Sequence, residues 1–294
     1  ITMEKLVYKN PMVEDTTGSE APEIASTDSN LSAGQMFQQT SLPSLGRLIF
    51  SVIPTSGPTS GVFNIKKKAG TNNFELVRNN LEVYPSESIK TGLTLEVIQD
   101  IRNQYGVNAN QVIGTLLRGL ANEQENTRTL EFLEVQSKLE PVLNLTNAQN
   151  AELNTFEIGQ RVHELILRAN TKNTRTYDSF CVLPYSYASS FAALNTYVGG
   201  MDKDESGLFI SEIGNTKFFL NPDATSTMAY VGLLDVRNPS KSSAIFSPYI
   251  ETVVEAQDPD SGEMSYFIFN RFGIAASPLH ETGNEMLFKF SVVQ

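Results

Sequence analysis

Among its 294 residues the sequence has one cysteine, two histidines and no tryptophan. The single thiol, Cys181, excludes an intrachain disulfide framework, which agrees with a reducing compartment without proving one. It sits in the apolar run Ser179-Phe-Cys-Val-Leu183, where a buried and inert thiol is expected. His163 and His280 lie far apart, with no cysteine partners and no His-Glu-x-x-His spacing, so the common zinc-site patterns are excluded. Each is expected to be an ordinary surface or interface residue. No stretch approaches the roughly 20 continuous apolar residues that span a bilayer, and the start lacks a basic-then-apolar signal pattern. No membrane partner is expected. The chain begins with Ile1 rather than Met, as a proteolytically processed terminus or an incomplete record both would.

Basic residues are also scarce: 22 Lys and Arg stand against 33 Asp and Glu, a net charge of −11. Gripping a phosphate backbone needs clustered cations, so a partner DNA would be enclosed rather than read. The one basic run, Lys66-Lys67-Lys68, reads as a solvated hairpin tip.

Catalytic patterns are missing as well. With so few bases, no serine or cysteine triad can be assembled. Gly114-Thr-Leu-Leu-Arg-Gly119 spaces two glycines like a phosphate loop, but lacks the Gly-Lys-Ser/Thr ending and lies in a helical pattern, where close helix packing is the better reading. Asp258-Pro-Asp-Ser-Gly-Glu263 departs from calcium loops in length and ligand order and reads as a hairpin turn. Asp202, Asp204 and Glu205 fall in a glycine-flanked polar run expected to be an exposed loop rather than a carboxylate site. No catalytic, cofactor-binding or metal-ligating residue is therefore assigned, no cofactor is expected, and the chain is read as not an enzyme. A hydrolase with an unrecognised carboxylate site is the weakest alternative.

What is present is length and order. The chain exceeds a typical single domain, so one large or two interleaved domains are expected. Residues 1 to about 45, including Glu14-Asp-Thr-Thr-Gly-Ser-Glu-Ala-Pro-Glu, are polar and poor in aromatics. Such a segment cannot offset its ordering entropy alone and is expected as an arm lying against a partner. Leu48–Ile53 reads as a strand, Pro54–Gly61 is dense turn punctuation, Val62–Ile65 resumes a strand, Ala69–Asn73 reads as a turn, and strand character returns at Phe74–Val77 and Leu81–Tyr84. This β excursion has little core of its own.

The period then changes. Leu93, Val97, Ile98, Ile101 and Tyr105 recur at helical spacing; Gly106-Val-Asn108 interrupts; Val112, Ile113, Leu116, Leu117, Leu120, Gln124 and Thr127 form a second face that runs through Leu130 and Leu133 toward Pro141. The two segments together predict about 45 helical residues, roughly 65 Å. Residues 142–152 read as a polar link, and Phe156, Val162, Leu165, Ile166 and Ala169 mark another amphipathic helix. Strands are expected at Phe180–Leu183, Lys217–Leu220, Tyr230–Leu234, Tyr249–Ala256, Ser265–Phe272 and Leu287–Val293, with a short helix at Ser186–Leu194. The class is α+β, not an alternating nucleotide-binding sheet.

Three stretches resemble the major head protein of T-even-type myoviruses. They are Leu48–Phe63 with Pro54-Thr-Ser-Gly-Pro-Thr59; Thr94-Leu-Glu-Val-Ile-Gln-Asp-Ile-Arg-Asn-Gln-Tyr-Gly-Val-Asn-Ala109 with its continuation Leu116–Arg128; and the series Ala229-Tyr-Val-Gly-Leu-Leu234, Ala244-Ile-Phe-Ser-Pro-Tyr249 and Asn270-Arg-Phe-Gly-Ile-Ala-Ala-Ser-Pro-Leu279. Val107, Asn108 and Phe272 depart from that family's pattern, and the long insertion it often carries between Lys68 and Phe74 is reduced to a few residues. The resemblance implies the tailed-phage and herpesvirus capsid fold (Johnson fold, Hong Kong ninety-seven type). It further implies an arm at 1–47, an extended β loop at 48–92, a peripheral domain with a spine helix at 93–177, an axial domain at 178–247 and return strands at 248–294. The implied function is a shell subunit whose partners are copies of itself in hexamers or pentamers. Other capsid, vertex, portal or decoration proteins would join it, enclosing DNA without sequence-specific binding in a head built in the host bacterial cytoplasm. A pentameric vertex paralogue and an encapsulin-like compartment shell are the alternatives.

Overall fold

The computed structural model describes residues 43–67, 73–85, 87–93, 109–146, 150–172, 178–188, 207–235, 239–257, 264–280 and 285–293, with single positions 99, 103, 191 and 237. In chain order the elements are α1 (Leu45–Ile49), β1 (Ser51–Val52), β2 (Thr59–Lys67), β3 (Phe74–Glu82), β4 (Glu87–Leu93) and α2 (Ala109–Gln136). There follow β5 (Lys138–Leu139), β6 (Leu143–Asn144), α3 (Ala151–Lys172), β7 (Ser179–Leu183), β8 (Phe209–Ile213), β9 (Thr216–Leu220) and β10 (Met228–Leu233). A single 3₁₀ turn at Pro239–Lys241 precedes β11 (Ala244–Gln257), β12 (Met264–Ala276) and β13 (Leu287–Val293).

Two main sheets result. A four-stranded sheet runs β1-β11-β12-β4, dominated by the long antiparallel pair in which Ala244 faces Ala276 and Gln257 faces Met264. The other, seven-stranded, runs β5-β13-β10-β7-β9-β8 with β6 added on β13. Its strand β7 is buried on both faces: Phe180 and Val182 point into one cluster with Tyr230 and Leu287, while Cys181 and Leu183 point into another with Val231, Phe288 and Phe290. The second cluster is closed by α3 through Ile158, Val162, Leu165 and Ala169. That explains why β7 reads as a continuous apolar run rather than an alternating one.

The spine of the molecule is α2, 28 residues and about 42 Å long at 1.5 Å per residue. Of its buried positions, Ile113, Leu117, Ala121, Glu125, Thr129 and Leu133 form one i, i+4 ridge. Each step of such a ridge turns by about 40° at 3.6 residues per turn, so Leu133 faces nearly opposite to Ile113. The helix uses this drift to serve both sheets. Ile113, Leu117 and Ala121 pack on Tyr266 and Ile268 of the four-stranded sheet, whereas Leu133 packs among Phe180, Tyr230 and Leu287.

Several sequence expectations are corrected. Leu48–Ile53 is not a strand: the chain forms helix α1 and then a two-residue strand. Leu93 does not open a helix but ends β4, which pairs with β12. The α2 helix stops at Gln136, and of the preceding helical pattern only Gln99 and Asn103 are described, both helical; Val97, Ile98, Ile101 and Tyr105 lie outside the described residues. Leu116, Leu120 and Thr127 on α2 and Phe156 on α3 are exposed. The link at 142–152 contains β6, paired with Val292–Val293, and the first residues of α3. Strands β4 and β8 were not foreseen. The six expected later strands are present, β11 and β12 being longer at both ends than Tyr249–Ala256 and Ser265–Phe272. The expected helix from Ser186 is helical at 185–188 and 191; the rest lies outside the described residues.

Candidate functional site

Two features stand apart from an ordinary globular surface: a β hairpin with an apolar outer face, and the charged junction that anchors the chain leading to it.

In the hairpin Phe63 faces Arg78, Ile65 faces Leu76 and Lys67 faces Phe74. Directly opposed residues share a face, so Phe63, Ile65, Phe74 and Leu76 form one strip, and they are 50, 65, 72 and 69% exposed. The Arg78 guanidinium covers only one end, 5.4 Å from the Phe63 ring centre. Gly61 makes room for it: a Cβ there would come within 2.8 Å of Arg78 Nε. The opposite face is attached to the body. Leu81 is fully buried, Val77 packs against the α3 cluster, and Asn79 Nδ2 donates to Ala276 O at 2.9 Å. At the base, Tyr84 N–H donates to Phe272 O at 2.8 Å, and Gly273 permits the approach of Glu82 O, which a Cβ would meet at 2.7 Å. The expected lack of an internal core is thus a property of one face.

The junction lies where α1 crosses α2. A five-residue helix has no stability of its own, and α1 is held by side chains of the spine. Asn126 Oδ1 accepts from Leu45 N–H at 2.6 Å, and Asn126 Nδ2 donates to Pro43 O at 3.1 Å. Glu125, 1% exposed, receives a two-pronged contact from Arg47 (Nε to Oε2, 3.0 Å; Nη2 to Oε1, 2.9 Å) and a third bond from Asn270 Nδ2 at 3.0 Å. The hydrogen bond to Glu125 raises the pKa of Arg47 against the opposing pull of burial. Arg47 also donates to Glu251 at 3.0 Å, so one network ties α1, α2, β11 and β12. Thr129 Oγ1 donates to Glu125 O at 2.7 Å, and Gly46 sits so close that a Cβ would meet Thr129 Oγ1 at 2.6 Å.

The remaining residues singled out in the sequence are placed as follows. Cys181 is free and buried, and burial raises its thiol pKa. His163 is exposed on α3. His280 is no ordinary surface residue: its Nδ1 accepts from Met286 N–H and its Nε2 donates to Gln136 O, both at 3.0 Å. A backbone N–H can only donate and a carbonyl only accept, which fixes the neutral Nε2–H tautomer; burial lowers its pKa. Gly114 is helical, but a Cβ there would meet nothing within 4 Å, so close packing does not explain it. Lys66 and Lys67 lie on the last rungs of the hairpin. Lys68, Asp202, Asp204, Glu205 and the 258–263 turn lie outside the described residues.

Among the described residues no group of three or more His, Cys, Asp and Glu side chains could hold a metal, and no helix is long and apolar enough to cross a membrane. Sequence reasoning missed Glu125, Asn126 and Thr129. The available signal was the place of Glu125 and Thr129 on the ridge of Ile113, Leu117 and Leu133, since a carboxylate on a buried ridge demands a partner; Asn126 lies beside that ridge and carried no such signal.

Comparisons with known proteins match this architecture. The structure is similar to that of a virus-like particle from Pyrococcus furiosus (TM-score 0.54, 12% identity, 91% of this chain and 100% of that one). It is also similar to a structure from Mycobacterium phage Che8 (0.52, 13%, 98% of each chain) and to the capsid of Myoviridae phage XM1 (0.50, 11%, 85% and 92%). At these identities the likeness establishes the fold, the tailed-phage capsid fold. No curated protein matches the chain. The family model described as major capsid protein Gp23 matches residues 68–292, about three quarters of the sequence. With its anchored spine helix and projecting hairpin, the chain belongs to the Gp23 family of major capsid proteins.

Proposed function

We propose that the chain forms the shell of a phage head by burying the outer face of its β2–β3 hairpin against a neighbouring copy, in closed rings that tile the lattice. The observation that carries this reading is the strip Phe63, Ile65, Phe74 and Leu76, exposed on a hairpin whose other face is already occupied. Burying an exposed large apolar side chain contributes roughly 1.5–3 kcal/mol, so four contribute about 6–12 kcal/mol. Association costs about 4–15 kcal/mol. One docked hairpin therefore roughly breaks even, and stability comes from ring closure, in which every copy both gives and receives a hairpin.

In this reading residues 1–47 supply the arm, 48–92 the extended loop, 93–177 the peripheral unit with its spine helix, 178–247 the axial unit and 248–294 the return strands. The acidic composition fits a wall that encloses DNA without gripping it. Assembly in the host cytoplasm, joined by vertex, portal and decoration proteins, completes the proposal, with no enzymatic step required of the chain. The Gp23 match favours a head protein over an encapsulin-like compartment shell. Electron microscopy of the purified protein tests it: hexamers or closed particles are expected, and a monomer at all concentrations would refute it.

A further inference from the structure

Phe156, Gln160, His163 and Leu167 recur on α3 at spacings of four, three and four, which puts them in one stripe. All four are exposed, on the side of the helix away from Ile158, Val162 and Leu165, which are buried against the seven-stranded sheet. The stripe runs about 16 Å at 1.5 Å per residue. Together with residues 141–144 and the β8–β9 turn it lines a cleft of about 1470 Å³. Small-molecule pockets measure roughly 300–1,000 Å³, so this one is of a size for a segment of protein. Its apolar surface is uncovered: Phe156, Leu167, Val142 and Ile213 are all exposed.

Two further observations point to an occupant. Gly159 lies inside α3 and lines the same cleft. Glycine in a helix interior destabilises relative to alanine, and no close contact within the chain requires it, since a Cβ there would meet nothing within 4 Å. A missing side chain also lets a second backbone approach closely, and the space over Gly159 is open for one. Ser211, two residues before Ile213 on β8 and so on the same face of the strand, is 1% exposed, and its hydroxyl has no hydrogen-bond partner among the described residues. A buried polar group left this way is costly.

Charge identifies the class of occupant. The rim carries Glu152, Glu157, Glu164 and Glu212. Arg161, the one lysine or arginine among the described lining residues, is already engaged by Glu164 at 2.8 Å and Glu140 at 3.3 Å. Two copies of a chain of net charge −11 bring like charge together at such a rim; a basic partner does not. The α2 flank with Leu116 and Leu120 gives no comparable signal, because Arg118 and Arg128 there balance Glu123 and Glu131.

We propose that the outer face of α3 is the docking groove for a basic amphipathic helix of a protein other than this chain. The apolar side of that helix lies on Phe156, Leu167 and Ile213, its backbone crosses closest at Gly159, and its cations meet Glu152 and Glu212 at the rim, the helix-in-groove mode of recognition. The site goes beyond the shell reading and does not depend on where the β2–β3 hairpin is buried. Because the rim charges are screened by salt, docking weakens as ionic strength rises.

The test is fluorescence anisotropy on the full chain with a labelled peptide of leucine and lysine patterned as an amphipathic helix. The same pattern with glutamate for lysine is the control. The lysine peptide is expected to bind, to dissociated subunits and assembled shells alike, and the glutamate peptide is not. Glu152→Lys/Glu212→Lys should weaken binding about tenfold or more. Glu123→Lys/Glu131→Lys, which changes the net charge equally but on the α2 flank, should stay within about twofold because distant charges are screened. Unchanged thermal melting verifies folding of both. Gly159→Gln should keep or raise the melting temperature, since glutamine is the better helix former and enters open space, yet weaken the peptide about tenfold by filling the groove. A glycine with a merely structural role would give the reverse, a lower melting temperature with binding intact. That reverse result, no binding of the lysine peptide, equal binding of both peptides, or equal effects of the two charge exchanges would overturn the proposal. Binding confined to dissociated subunits would overturn it too, by giving the groove to a second copy. Failure of the unaltered chain to assemble would instead strike the shell reading and leave the subunit measurement standing.

Discussion

The junction around Glu125 and the outer face of the hairpin invert the usual distribution of side chains. At the junction a carboxylate is 1% exposed, yet it has three donors, and the neighbouring amide of Asn126 has a partner for each of its ends. On the hairpin, two phenylalanines, an isoleucine and a leucine stand in water with one arginine across an end. The Glu125 and Asn126 contacts are complete within one chain and the apolar face is not. Saturated polar contacts specify how a single copy is built, and unsaturated apolar surface marks where copies meet.

Perturbing the two regions separately should separate folding from assembly. The largest effect on folding is expected from the α1 segment. Leu45 and Ile49 are fully buried, and losing each costs about 2–5 kcal/mol of a total that is typically about 5–15 kcal/mol. Deleting residues 1–49 should abolish the cooperative thermal transition, whereas deleting 1–42 should keep it. Next comes Glu125→Ala, which leaves Asn270 without its acceptor and Arg47 with Glu251 alone; a loss of about 2–4 kcal/mol is expected in urea titrations. Glu125→Gln, which still accepts from Asn270, should lose less.

His280 gives a pH-dependent effect. Its folded pKa lies below the ordinary 6.5 because burial disfavours the imidazolium, so the unfolded chain binds the proton more readily. The stability it contributes is complete above about pH 6.5 and is lost as pH falls through that value toward the depressed folded pKa. Protonation at Nδ1 also sets two donors against each other at Met286. The fall in melting temperature between pH 7.5 and 5.5 should be smaller in His280→Gln. Smaller again is Tyr230→Phe. Tyr230 donates to Glu134 at 2.9 Å, and Lys289 pairs with the same carboxylate. Burial pushes the Glu134 pKa up, but these two bonds outweigh it and hold the pKa below the usual range. Removing the hydroxyl should cost about 1 kcal/mol. At the bottom, Ile65→Thr or Phe74→Ser should leave folding stability within about 0.5 kcal/mol.

How much of this was legible beforehand follows the same division. The hairpin, spine helix and later strands came in the right order because turn residues and apolar period mark them locally, while residues 1–42 lie outside the described residues. Leu48–Ile53 misled because its β-branched run favours a strand, while the actual helix is imposed from outside by Asn126, Glu125 and the close fit at Gly46. Strand β4 was hidden by its polar sequence, Glu-Ser-Ile-Lys-Thr-Gly-Leu, and exists because β12 offers it an edge. On α2 a single straight stripe was assumed, which placed Leu116 and Leu120 inside. The real buried ridge winds round the helix because two different sheets need it. The outer face of the hairpin was readable as lacking a core, but not which side lacked it, since that depends on the register Ile65–Leu76.

The central claim is that the hairpin strip is open in a single copy and closed in a shell. Ile65→Cys measures this directly, because the native thiol, Cys181, is buried. Its rate of labelling by a maleimide is expected to be fast in dissociated subunits and strongly suppressed in intact particles. Equal rates in the two states would contradict the account.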